Sequence, residues 1–346
     1  MKIGVDLISG ESAMGTLVLG FLDALAEDKE MEGVLIGPSS VYDPLLKKFH
    51  KKIARAPGME SRISILEASE VITMEDDPLT AMKQKKDSSI VKGLQAVKAG
   101  ELDAFFSPGN TGAIVVASSI ILGRAKGVKK TPLAMFMPKV SGGASILLDV
   151  GGMVEIEPED YLKFGVMGSV YAREILGIEN PRIGLFNIGE EEHKGTPAVK
   201  EANKAFRESG LNFVGNVEGN HLFFDKADVI VCDGYIGNIA LKTIEGTSKA
   251  IMKMMKGFLK SDFLATLGTP LVAGALMKLK ATMDPEIYGG APLLGVKGNV
   301  FIGHGASGRR AIFHGMHAAA KCIRRDVLTK VRNQMEERNF TEEAKD

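Results

Sequence analysis

Between Asp228 and Gly246 the chain reads Asp-Val-Ile-Val-Cys-Asp-Gly-Tyr-Ile-Gly-Asn-Ile-Ala-Leu-Lys-Thr-Ile-Glu-Gly: an apolar run, a glycine turn, then a helical pattern bearing amide and ammonium groups. Residue types in that order suit an anion. Val229 to Cys232 predict a buried strand of a parallel sheet, bounded by Asp228 and Asp233. Gly234 and Gly237 then bend the chain. A helix starting near Asn238 would aim its free N–H groups and positive dipole end out of the carboxyl edge of the sheet, where α/β proteins bind ligands. Lys242 lies four residues after Asn238 and shares its helical face. An amide, an ammonium and a helix N-terminus could therefore converge on one phosphate or oxyanion. The segment is equally compatible with an ordinary βα connection carrying a solvated lysine. It is not a nucleotide P-loop, because Lys242 stands where that motif needs its second glycine.

Other loops offer related chemistry. Ser107-Pro108-Gly109-Asn110-Thr111-Gly112 supplies hydroxyl, amide and backbone donors at a helix start, again an anion cradle. Asp149 ends a strand before Gly151 and Gly152, where capping the turn and orienting a substrate group are both open. Gly303 to Gly308 satisfies G-x-G-x-x-G, but one helix and a tail follow rather than a βαβ unit, so a dinucleotide is not expected. His304, the titratable group of that loop, is a candidate for the wall of an anion or acyl pocket. His314 and His317 are three apart on a helix without a recognisable third ligand, so no metal is expected. No serine occupies a G-x-S-x-G turn, and covalent catalysis is not indicated.

These loops must be positioned by strands. Strand-like runs recur at Lys2–Asp6, Gly33–Gly37, Ile63–Leu66, Leu102–Ser107, Ser145–Val150, Ile183–Asn187, Asn212–Val217, Asp228–Asp233 and Asn299–Gly303, mostly separated by helical patterns. The expected fold is α/β: a doubly wound, mostly parallel sheet with helices on both faces. Residues 1–346 read as a single body, with only a weakly marked boundary near Lys130. Residues 251–282 read as a helical hairpin broken at Gly268-Thr269-Pro270, whose apolar tip includes Phe263, Leu264, Leu267, Leu271 and Val272 between flanking lysines. Interfacial insertion, a partner helix or simple core packing would each use such a tip.

Composition narrows the function classes. The 346 residues carry 43 acidic and 43 basic side chains, which removes the electrostatic case for general nucleic-acid binding. Forty glycines without a period point to many tight βα turns. Cys232 and Cys322 lack metal spacing and suit a reducing cytoplasm. A strand from Lys2 leaves no expected leader, and no long uncharged apolar run predicts a membrane span.

Six segments taken together, in order and over nearly the whole chain, resemble the bacterial phosphate acyltransferase family, PlsX. They are Ser-Pro-Gly-Asn-Thr-Gly-Ala (107–113), Leu-Asp-Val-Gly (148–151), Asn-Ile-Gly-Glu-Glu with Lys-Gly (187–195), Gly-Asn-Val-Glu-Gly (215–219), Cys-Asp-Gly-Tyr-Ile-Gly-Asn-Ile-Ala-Leu-Lys-Thr (232–243) and Tyr-Gly-Gly-Ala-Pro-Leu-Leu-Gly-Val (288–296). The resemblance implies transfer of a fatty acyl group from acyl carrier protein to inorganic phosphate, giving acyl-phosphate for phospholipid synthesis without a cofactor. It implies a phosphotransacetylase/isocitrate dehydrogenase-like fold and a homodimer. It also implies a cytoplasmic enzyme in peripheral contact with the inner face of the membrane, and a downstream acyl-phosphate-using acyltransferase as partner.

Carried over residue by residue, Lys194 and Asn238 fall on the catalytic positions. Ser107, Gly109, Asn110, Thr111, Asp149, Asn187, Gly189, Asp233, Gly237, Lys242 and His304 are candidates for phosphate or substrate binding. Departures cluster near these loops: Asp6-Leu7-Ile8-Ser9-Gly10-Glu11 replaces Asp-Ala-Met-Gly-Gly-Asp, and Thr131 stands where arginine is common before Pro132. They leave room for a short-chain phosphotransacylase, for an acetyl-phosphate-forming subunit of an amino-acid reductase complex, or for a non-catalytic membrane-associated scaffold.

Overall fold

The computed structural model describes residues 1–261, 263–282, 289–338 and 340, without the side chains of residues 263–265, 267, 280 and 281. The first part of the chain winds β1 (Lys2–Asp6), α1 (Met14–Glu27), β2 (Glu32–Ile36), α2 (Ser39–Lys48), α3 (His50–Ala54), β3 (Ile63–Leu66), α4 (Pro78–Gln84), α5 (Ser89–Lys98), β4 (Ala104–Ser107) and α6 (Thr111–Ile121). The second winds β5 (Ala134–Pro138), β6 (Ala144–Leu148), α7 (Pro158–Tyr171), β7 (Ile183–Phe186), α8 (Pro197–Glu208), β8 (Phe213–Val217), β9 (Val229–Val231), α9 (Gly234–Ser261) and α10 (Phe263–Thr282). The chain closes with β10 (Ala291–Pro292), β11 (Asn299–Ile302), α11 (Arg309–Arg324) and α12 (Val327–Glu337).

The α/β class and the dominance of parallel pairing hold, but the strands form two sheets rather than one. One has the order β10-β11-β4-β1-β2-β3 and the other β5-β6-β9-β7-β8. Among the strands of the described residues, only β5 and β10 pair antiparallel with their neighbours. The division follows from β11: it returns to lie beside β4, whose other side already holds β1, so no edge of β4 remains for β5. Both antiparallel strands went unread in the sequence. Ala134-Met-Phe-Met-Pro lacks β-branched residues and ends in proline, and β10 is two residues long.

Alternation along the strands sorts the core. Ile3 and Val5 of β1, Phe106 of β4, Leu148 of β6, Leu185 of β7 and Val231 of β9 face one hydrophobic cluster, shared with α1, α7, α11 and α12. Ile36 of β2, Phe105, Leu147 and Ile230 face the other, shared with α5, α6 and Leu241 of α9. Each cluster draws on both sheets, and period-two side-chain alternation places the two on opposite faces.

The expected break at Gly268-Thr269-Pro270 is absent: α10 continues through those residues. The side chains of Phe263, Leu264 and Leu267 lie outside the described residues; Leu271 and Val272 are exposed. No helix among the described residues is long and apolar enough to cross a membrane.

At the amino ends of the second sheet, buried Asp228 joins three segments. Lys139 Nζ donates to it at 2.7 Å, and Arg182 donates through Nε at 3.0 Å and its backbone N–H at 2.9 Å. Burial alone would raise the carboxyl's pKa, but the Arg182 and Lys139 hydrogen bonds outweigh it and hold the group well below the usual carboxylate range. A depressed native pKa contributes stability above the unfolded value near ~3.9 and loses it as pH falls further. Asp228→Ala, which leaves the buried Lys139 ammonium only the exposed Asp225 carboxylate at 3.5 Å, is expected to cost about 3–5 kcal/mol at pH 7 in urea unfolding. The deficit should shrink below about pH 4; an equal deficit at pH 3 would show that the ion pair is not its source.

Candidate functional site

Parallel register lines up the carboxyl ends of three neighbouring strands. Leu148 of β6 and Leu185 of β7 both pair with Val231 of β9. With strands about 4.8 Å apart, the loops after Asp149, Asp233 and Asn187 occupy adjacent places along roughly 10 Å of sheet edge.

Asp149 organises the first of these loops. Its carboxylate is fully buried and accepts four backbone N–H groups: Leu133 at 2.9 Å, Gly151 at 3.0 Å, Gly152 at 2.8 Å and Met153 at 2.6 Å. Glycine is required at 151, where φ is +133°, and a Cβ on Gly152 would lie 2.8 Å from the Thr131 carbonyl oxygen. The Asp149 carboxylate thus caps its own glycine turn. Burial pushes the Asp149 pKa up to about 6 against the pull of the four N–H donors.

The next loop packs onto this turn. The Gly234 N–H donates to the Met153 carbonyl at 2.8 Å, and Gly237 presses so closely on the Asp149 carbonyl that no side chain fits there. Asp233 accepts the Ile236 N–H on Oδ1 at 2.8 Å and the Tyr161 hydroxyl on Oδ2 at 3.2 Å, and its carbonyl takes the Gly237 N–H at 3.0 Å. α9 therefore begins at Gly234, not near Asn238 as expected, because Asp233 supplies the capping oxygen one turn earlier. The Gly234, Ile236 and Gly237 amides of that first turn are bound within the protein. Asn238 sits a turn into the helix with its side chain exposed and facing the glycine turn: a Cβ on Gly151 would lie 3.5 Å from its Cγ. Lys242, one turn further on, pairs with Glu245 at 3.1 Å.

In the third loop, Asn187 closes the chain on itself. Its Nδ2 donates to the Lys194 carbonyl at 3.1 Å, and its Oδ1 accepts the Ile188 N–H at 2.8 Å. The half-buried Lys194 stem covers Gly189, where a Cβ would lie 3.0 Å from Lys194 Cγ. Glu190 pairs with Lys226 and Glu192 with Arg207, yet among the described residues no carboxylate lies within 4.0 Å of the Lys194 ammonium. An unpaired cation and an uncommitted amide thus stand on the same sheet edge. Cys232 offers no nucleophile there, since its buried Sγ donates to the Asp149 carbonyl at 3.3 Å and burial pushes the thiol pKa well up.

The remaining candidates stand on the edge of the other sheet, where Ser107 pairs with Ile302 and follows Phe106, the partner of Val5. Ser107 Oγ donates to Asp6 Oδ2 at 2.7 Å and accepts the Gly109 N–H at 3.0 Å. Asn110 caps α6 through Oδ1, on the Ala113 N–H at 3.0 Å, and its Nδ2 holds the Thr73 carbonyl at 3.1 Å and the Asp76 carbonyl at 3.2 Å. Gly109 packs against the Ser9 side chain, and Thr111 is half-buried at the helix start. Exposed His304 accepts the Ala306 N–H on Nδ1 at 3.1 Å, while the Gly305 carbonyl takes the Glu11 N–H at 2.9 Å. Contrary to expectation, the side chains of Ser107 and Asn110 are consumed in building this edge, since a hydroxyl or amide close to a helix start bonds its own loops first.

Sequence reasoning overlooked Asp6 and Tyr161. Asp6, wholly buried, accepts the Ser9 N–H at 3.2 Å as well as the Ser107 hydroxyl, and burial raises its pKa. An aspartate closing an apolar strand was the available signal for it; Tyr161, seventy-two residues from Asp233, left none.

A family model described as "Fatty acid synthesis protein" matches residues 1–330. Among curated relatives, a phosphate acyltransferase of Heliobacterium modesticaldum is 42% identical over 97% of this chain and 98% of its own length. One from Caldanaerobacter subterraneus is 40% identical over 97% and 98%. That of Bacillus pumilus is 39% identical over 99% and 100%. Among solved structures, a phosphotransacetylase from Streptococcus pyogenes superposes with a TM-score of 0.61 at 16% identity over 94% of each chain. EutD phosphotransacetylase from Staphylococcus aureus gives 0.57 at 16% identity over 93% of this chain and 94% of that one. At such identities the structural likeness is one of fold.

The Asp149 clamp carries its own test. Asparagine keeps one acceptor oxygen but turns an N–H₂ toward the Met153 N–H, so Asp149→Asn is expected to lose about 1–3 kcal/mol of stability. Because the native pKa of about 6 exceeds the unfolded one, the wild-type protein binds more protons when folded, and this group lowers its stability as pH rises from about 4 to about 6. Urea unfolding across that window should show the decline in wild type and its absence in Asp149→Asn; parallel curves would remove Asp149 as the titrating group.

Proposed function

Given that the chain belongs to the phosphate acyltransferase family and is an enzyme of that class, we propose that it moves a fatty acyl group from acyl carrier protein to inorganic phosphate, releasing acyl-phosphate for phospholipid synthesis. The observation that carries this reading is the pair of side chains left unbound on one sheet edge: the Lys194 ammonium, without a carboxylate partner among the described residues, and the Asn238 amide, facing the Asp149 turn.

Phosphate near neutral pH is already an anionic nucleophile, so no general base is needed. A phosphate oxygen adds to the thioester carbonyl, forming a C–O bond and an oxyanion. Collapse of that intermediate breaks the C–S bond, and the carrier's thiolate departs with the electron pair. Lys194 screens the approach of phosphate to the developing oxyanion, and Asn238 Nδ2 donates to that oxygen. Groups set by the Asn187 closure and the Asp149 turn need little reorganisation during the reaction.

Exposure on the far part of α9 and on α10 supports peripheral contact with the inner face of the membrane by a cytoplasmic enzyme. Phe258, Met277 and Leu271 are 71%, 71% and 90% exposed, among exposed lysines 253, 256, 260 and 278. Apolar side chains interleaved with cations suit an anionic lipid surface. The reading also includes a homodimer and a downstream acyltransferase that consumes the acyl-phosphate.

Lys194→Ala and Asn238→Ala should each lower kcat for acyl-phosphate formation by about 10²–10³ with carrier-protein donors, without loss of folding. Wild-type turnover by Lys194→Ala would sink the assignment, and equal use of acetyl donors would point to a short-chain phosphotransacylase. Separately, Leu271→Glu combined with Met277→Glu should cut sedimentation with phosphatidylglycerol vesicles about tenfold or more; unchanged sedimentation would assign the exposed helices to packing.

A further inference from the structure

The segment joining the two sheets, residues 122–133, is strongly basic. Arg124, Lys126, Lys129 and Lys130 fall within seven residues, and Lys297 joins them through its backbone N–H, which donates to the Gly123 carbonyl at 3.0 Å. All but the half-buried Lys130 are exposed. Among the described residues no carboxylate lies within 4.0 Å of any of the five. Elsewhere, cations are commonly answered by acids: Lys52 and Arg309 by Asp23, Lys92 by Asp87, Lys226 by Glu190, Lys330 by Glu174. Asp160 lies within electrostatic reach of Lys130, but its oxygen accepts the Glu157 N–H at 3.1 Å.

Buried residues and hydrogen bonds anchor this basic run beside the Asp149 turn. Ala125 and Val128 are buried in the core, the Ala125 N–H donates to the Gly295 carbonyl at 2.8 Å, and Arg124 bridges Val296. Arg124 also donates to the Lys129 carbonyl, holding the run in a closed loop. Three residues beyond Lys130, the Leu133 N–H is one of the four donors to the Asp149 carboxylate, and the Thr131 carbonyl abuts Gly152. A chain advances at most ~3.6 Å per residue, so the Lys130 backbone lies within about 11 Å of that clamp. A second basic stretch, Lys47, Lys48, Lys51 and Arg55 on and after α2 and α3, is equally free of acids, but it packs against α1 of the other sheet and has no such connection.

Five cations without a carboxylate partner among the described residues, set at the rim of the proposed reaction edge, give that rim a positive field that an acidic partner complements. The partner must also bring a thioester to Asn238. We propose that Arg124, Lys126, Lys129, Lys130 and Lys297 form the docking rim for the acidic face of the acyl carrier protein. The inference rests on the carrier protein being the acyl donor.

The test is Lys126→Glu/Lys129→Glu in the full chain, assayed with an acyl-carrier-protein thioester and with an acyl-pantetheine thioester that lacks the protein. KM for the carrier-protein donor should rise at least about tenfold at low salt and the gap to wild type should narrow as salt is raised, with kcat and acyl-pantetheine turnover unchanged. Lys47→Glu/Lys51→Glu should leave both donors within about twofold of wild type. An unchanged carrier-protein KM, an equal loss with both donors, or an equal rise in the Lys47/Lys51 pair would each overturn the rim. So would loss of phosphatidylglycerol vesicle binding with carrier kinetics intact, which would assign the rim to lipid. If wild type turns over acyl-pantetheine but no carrier-protein thioester, the donor reading itself fails, and the rim fails with it.

Discussion

One buried carboxylate holds this sheet edge together. Asp149 gathers backbone N–H groups from the segment that enters β5 and from its own turn. Its carbonyl oxygen seats Gly237, while the Met153 carbonyl receives the start of α9. Taking a carboxylate out of water is expensive, and four charge-assisted hydrogen bonds are what make it tolerable. The geometry is correspondingly unforgiving, since each donor belongs to a different peptide and none can shift without leaving the charge short of a partner. Sheet connection, glycine turn and the start of α9 are thus held in one frame by one side chain.

The same logic explains which polar groups remain for chemistry. Loops at a sheet edge must satisfy their own backbone before they can bind anything else. Asp233, Asn187, Ser107 and Asn110 each have the composition of a ligand-binding residue, and each is engaged in capping or closing its own loop. What is left over is informative. The Lys194 carbonyl takes part in one of those closures, but among the described residues the side chains of Lys194 and Asn238 take part in none of them.

α9 links two surfaces that the sequence presents as separate. It starts at the Asp149 turn with Gly234 and Gly237 buried, then runs for 28 residues, about 42 Å, into a stretch exposed on most sides. Its first turns are fixed by backbone contacts that exclude side chains, and its last turns carry apolar and basic groups that the body does not cover. Charge is distributed with similar economy: a neutral total conceals ion pairs over much of the surface and a concentration of unanswered cations where the two sheets join.

Local pattern was enough to determine the α/β class, nine of the strands and the loops that carry polar groups, because strand alternation and glycine turns are written within a few residues. It also singled out Asp149 and Asn238 by their place after buried strands. Tertiary structure alone decided that β11 returns beside β4 and so splits the strands into two sheets, since that pairing joins residues far apart in the chain. It also brought the Tyr161 hydroxyl of α7 onto Asp233, seventy-two residues away, beside the local cap that starts α9 at Gly234. It likewise removed Ser107 and Asn110 from the pool of free ligands: whether a hydroxyl or an amide faces solvent or a neighbouring carbonyl depends on which loops meet at the edge, and no local spacing encodes that meeting.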